Sequence, residues 1–151
     1  MLPRPAMLLG WSGLLPAAAA LGAAVLAPPP VPEFAFRAGA LYSGLILSFL
    51  GGAWWGLATR AGPERAWPLY LVAVAPSLAA LALLLAMTPG RLIVLGLVIM
   101  ATLPVDRALV RLGLAPAGWM RLRVPLSVAL GVLTVALGLV ALLPAAGALG
   151  P

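Results

Sequence analysis

The chain has no cysteine and no histidine, and its nine basic residues are all arginine. The first two absences exclude disulfides, thiol catalysis, histidine-ligated haem and the usual zinc sites. The lack of lysine, beside so much Ala, Gly, Leu and Pro, reads as the mark of a GC-rich genome rather than of chemistry. Acids are nearly missing too, with Glu33, Glu64 and Asp106 the only three. Serine hydrolysis needs a base beside its nucleophile, and neither His nor Lys is there to serve. Charged residues make up 8% of the 151, whereas a soluble domain carries about 25%. Most of this chain is therefore bathed in lipid, not water.

What is abundant is apolar surface, at 64% of residues. It falls into five runs of membrane-spanning length, at about 6–27, 38–59, 68–87, 91–106 and 124–143. No segment between them is long enough to bury a core of its own. The expected architecture is all-α, a single membrane domain over residues 1–151 forming an antiparallel bundle of five transmembrane helices. The first run has a basic start and an Ala-rich middle, as a signal peptide would, but continues without a polar end and reads as a retained span. Pro16 frees the carbonyl of Ser12 and bends it. Pro28, Pro29, Pro30 and Pro32 stop it, with Glu33 and Arg37 in a short exit loop. Pro68 suits the first helical position of the third span, and Pro125 the first turn of the fifth. Pro144 ends the last span. Asp106 is read as the cap of a short interfacial helix over 107–112.

The second run is central. It has 22 residues and no charge between Arg37 and Arg60, and as a helix it is about 33 Å long. Ala40, Gly44, Ser48, Gly52 and Gly56 recur every four residues and are expected to form a smooth packing stripe. On that reading Gly52→Leu pushes a facing helix away. Ser127, Gly131, Thr134 and Gly138 mark a second stripe in the fifth run. Trp54 and Trp55 read as an interfacial belt, with ligand stacking the alternative.

Pro16, Ser48, Pro76, Ser77 and Thr134 fall near span centres. Their first reading is ordinary packing. The alternative makes Ser48, Ser77 and Thr134 the walls of a midplane cavity that binds a small molecule or lipid. No ionisable group lies in the central part of any span, which argues against proton relays and ion-coupled pumping. Asp106 shares its region with Arg107, Arg111, Arg121 and Arg123. A loop ion pair to Arg121 or Arg123, clamping the fourth span to the fifth, is one reading. Contact with anionic lipid head groups is the other. No catalytic, metal or cofactor residues are expected.

Four stretches carry a resemblance: LGWSGLLP (9–16), YSGLILSFLGGAWWG (42–56), VAPSL (74–78) and GWMRLRVPLS (118–127). In this order they resemble an uncharacterised family of small integral membrane proteins, classed as a domain of unknown function, that includes transmembrane protein 69 of eukaryotes. The resemblance implies several membrane helices and bacterial inner-membrane residence, and supplies no activity.

The expected function is that of a non-enzymatic structural or accessory membrane protein. Its partners are membrane lipids and other membrane proteins or itself, with no nucleic acid. Arg4, Arg60, Arg65, Arg107, Arg111, Arg121 and Arg123 fall on one side of the bundle and only Arg37 and Arg91 on the other. This bias places the amino terminus in the cytoplasm. Reporter fusions to both ends are expected to show a cytoplasmic amino terminus and an external carboxyl terminus; both ends on one side would break the five-span count.

Overall fold

The computed structural model describes residues 3–143. Among these every regular element is α-helical: α1 (Arg4–Ser12), α2 (Leu15–Leu26), α3 (Val31–Ala58), α4 (Pro63–Leu84), α5 (Pro89–Ala101), α6 (Leu103–Arg111) and α7 (Trp119–Val140). They make five rods long and apolar enough to cross a membrane: α1 with α2, α3, α4, α5 with α6, and α7. Pro144 lies outside the described residues.

Prolines set the breaks. The first rod opens at Gly13 and Leu14, just ahead of Pro16, whose missing N–H leaves the Ser12 carbonyl free. The hydroxyl of Tyr42 donates to the neighbouring carbonyl of Gly13, so the second rod satisfies what the bend exposes. The fourth rod opens at Thr102, two residues before Pro104. At helix starts the same residue is harmless, because the first N–H groups have no helical partner anyway. Pro32, Pro63 and Pro89 all sit there.

This moves several boundaries. The second rod begins at Val31, not near residue 38: Glu33 favours the positive end of the helix and pairs with Arg37 one turn on at 2.8 Å. Its 28 residues reach about 42 Å, longer than a hydrocarbon core about 30 Å thick. The third rod starts at Pro63, which leaves Pro68 in its interior. The fifth starts at Trp119, which leaves Pro125 in its interior. The short helix expected over 107–112 forms as α6, but it begins earlier, at Leu103, and follows α5 after the break at Thr102. Asp106 is therefore inside it and buried, not its cap. The helix closes on Gly113 at φ 70°, and Leu114 N–H returns to the Leu109 carbonyl at 3.0 Å, a glycine-terminated end that β-carbon-bearing residues adopt poorly.

Packing radiates from α3, which lies against α2, α4 and α7, while α5 lies along α7. The α5–α7 crossing brings backbone onto backbone. A Cβ on Gly96 would lie 2.6 Å from the Gly131 carbonyl oxygen, and one on Gly131 would lie 2.8 Å from that of Gly96. Ser127, Gly131, Thr134 and Gly138 are all buried. The stripe on α3 differs from expectation. Ala40 and Gly44 are buried and Ser48 is partly so, but Gly52 and Gly56 are exposed with no atom near a would-be Cβ. A step of four residues advances about 400°, so each step drifts about 40° and the stripe turns about 160° from end to end. The inward face instead follows Ala40, Ser43, Leu47, Leu50, Trp54 and Ala58, with Gly51 against α4. Spans three and four diverge, leaving an apolar cleft of about 230 Å³ beside Leu47, Val72, Pro76 and Val98.

A Cβ on Gly51 would collide with the backbone carbonyl of Ala73. Gly51→Val is therefore expected to lower stability in detergent by about 1–3 kcal/mol, with Gly52→Val within about 0.5 kcal/mol of wild type. Thermal unfolding of the two variants side by side checks this; equal loss in both would reject the assigned face.

Candidate functional site: a buried carboxylate between three spans

Two pairs of residues, each one turn apart, meet where α6 crosses the start of α7. Thr102 and Asp106 project from one side, and Trp119 and Arg123 from the other. Asp106 is fully buried, Arg123 is 7% exposed, and Trp54 of α3 reaches the same point at 4%. Asp106 Oδ1 accepts from Trp54 Nε1 and Trp119 Nε1, both at 2.9 Å. Asp106 Oδ2 accepts from Arg123 Nε, also at 2.9 Å. Arg123 Nη2 makes a longer bond to Thr102 Oγ1 at 3.4 Å, and that hydroxyl donates to the Ile99 carbonyl at 2.7 Å. Nearby, Arg60 Nη1 donates to the Leu114 carbonyl at 3.0 Å.

A carboxylate away from water is tolerated only when paired and hydrogen-bonded. Here one cation and two indoles do that, and in doing so they pin the second, fourth and fifth spans at one end. The expected choice between Arg121 and Arg123 falls on Arg123. Arg107, Arg111 and Arg121 are exposed and make no ion pair among the described residues. Asp106 is a buried acceptor, not a helix cap or a loop acid. Trp54 belongs neither to an interfacial belt nor to a stacking site; it is a buried donor. Trp55 is half exposed and leans on Tyr70, ring centres 4.6 Å apart.

The midplane hydroxyls do not share a cavity. Ser48 bonds Ser77 at 2.9 Å, joining spans two and three. Thr134 bonds Ser43 at 2.8 Å, joining spans two and five, and also donates to the Leu130 carbonyl at 2.7 Å. Sequence reasoning missed Ser43, Thr102 and the bonding roles of Tyr42 and Trp119. The two i, i+4 pairs, Thr102 with Asp106 and Trp119 with Arg123, were the available signal. Among the described residues no group of His, Cys, Asp or Glu is placed to hold a metal.

Five apolar rods joined by buried polar clamps define a multi-pass helical membrane protein. The chain belongs to the family described as protein of unknown function (DUF3429), whose model matches residues 2–147. Neither the curated proteins nor the solved structures give a match.

Removing one partner of a buried pair leaves the other charge uncompensated, at a cost of about 3–5 kcal/mol. Arg123→Met is expected to lose that much, and the double variant Asp106→Leu with Arg123→Met to recover a substantial part. Thermal unfolding of singles and double measures the coupling; additive losses would show that the pair does not hold the spans.

Proposed function

We propose that this protein is a non-enzymatic accessory component of the bacterial inner membrane, acting by contact with lipids and with other membrane proteins or a second copy of itself. The observation that carries the reading is the Asp106 carboxylate. It is the one buried acid among the described residues, and scaffold donors occupy both its oxygens. Its role is to hold helices, not to act on a substrate. Large apolar side chains such as Leu45, Phe49, Leu71, Leu78 and Leu85 cover the outside, a surface suited to lipid and to neighbouring helices.

The arginine distribution supports a cytoplasmic amino terminus. With rods alternating in direction, the end that carries the Asp106 cluster also carries Arg4, Arg60, Arg65, Arg107, Arg111 and Arg121. The exposed ones among them attract anionic head groups at about 1 kcal/mol each near the surface. Nucleic acid is not a partner on this reading, because these charges edge a membrane domain.

The full chain extracted in mild detergent is expected to carry, at fixed stoichiometry, a second membrane protein or a second copy of itself. Native mass spectrometry reads this directly. A lone monomer that pulls down no companion from cross-linked membranes would overturn the accessory reading.

A further inference from the structure

The first, second, fourth and fifth spans enclose a cavity of about 170 Å³. Most of its wall is apolar, including Gly10, Leu14, Leu50 and Leu130, but Arg123 and Ser127 also line it. They lie one turn apart on α7 and so share a face. Ser127 is 2% exposed, and its Oγ has no hydrogen-bond partner among the described residues. The other buried hydroxyls are all engaged: Ser43 with Thr134, Thr134 also with a carbonyl, and Thr102 with a carbonyl. A buried hydroxyl left without a partner is unfavourable, and more so away from water. Arg123 uses Nε and one Nη on Asp106 and Thr102, which leaves guanidinium N–H groups over. Its charge is balanced by Asp106, so the donors suit a neutral acceptor rather than a free anion.

Size and access narrow the occupant. A cavity of about 150 Å³ lined by aliphatic and aromatic groups holds benzene, so this one takes a ring or a short chain segment. Leu9 and Phe49, also on its wall, are 73% and 71% exposed on the apolar outer surface. Entry is therefore sideways from the bilayer. We propose that this cavity binds the head of a membrane-resident amphiphile. The head is an apolar group carrying a carbonyl oxygen, which accepts from Ser127 Oγ and the unused Arg123 donors. A quinone ring and a glycerolipid ester share that chemistry. The proposal stands apart from the accessory reading, since a partner-binding protein can hold such a molecule or lack one.

The test uses the purified full chain in maltoside detergent and two probes, a benzoquinone with a decyl tail and monodecanoylglycerol. At least one is expected to give a saturable one-to-one adduct by native mass spectrometry and to raise the thermal midpoint; the one that binds more tightly identifies the source. Ser127→Ala is expected to weaken the adduct about five-fold, the loss of one hydrogen bond, without lowering the midpoint of the unliganded protein. Ser127→Leu fills the space and is expected to abolish the adduct; should it not fold, Ser127→Ala decides alone. No saturable adduct with either probe, or wild-type affinity in Ser127→Ala, overturns the site. So does a drop in unliganded stability of Ser127→Ala, which would give the hydroxyl a purely structural role.

Discussion

Lipid tails are as apolar as leucine, so two helices in a bilayer gain nothing by hiding leucines from the solvent. Attraction must come from closer contact than lipid can make, or from polar groups that lipid cannot satisfy. This protein uses both. The Gly96–Gly131 crossing lets α5 and α7 touch backbone to backbone, and Gly51 does the same for α3 against α4. Dispersion grows steeply with proximity, and a missing Cβ is the cheapest way to gain it.

Four of the polar contacts between rods start from α3, and they reach every other rod. Tyr42 ties it to the bend of the first rod, Ser48 to the third and Ser43 to the fifth. Trp54 ties it to the fourth through Asp106. Each is a short-range clamp at a different height along one helix. The strongest sits near the end where the arginines gather, where Asp106 and Arg123 are only a turn or so from the ends of their rods. A charge placed there is less costly than one at the midplane. Spans three and four are joined by Arg91 Nη1, which donates to the Ala82 carbonyl at 3.0 Å, and an apolar cleft lies between them further along.

Much of the fold was legible because hydropathy and proline placement act locally. The five apolar runs and the bend before Pro16 follow from chain-local physics. The stripes show where this ends. Offsets of 0, 4, 7 and 11 on α7 stay within about 40° of the starting direction, so Ser127, Gly131, Thr134 and Gly138 stay on one face. Uniform steps of four on α3 do not, and Gly52 and Gly56 turn outward. Charge misled in another way. Asp106 beside Pro104 and four arginines resembles a loop, because nothing local reveals two indoles waiting on other helices.

Composition and periodicity by themselves determined that this chain is a bundle of five membrane-length helices, since length and apolarity are properties of each segment alone. Tertiary structure decided which hydroxyls pair, which glycines meet a neighbour and which arginine answers Asp106. Those choices depend on the rotation and height of one helix against another, and a rotation of one residue, about 100°, replaces every partner. It also decided that Ser127 is left facing a cavity, because an unmet hydrogen bond exists only once every candidate donor and acceptor has been placed.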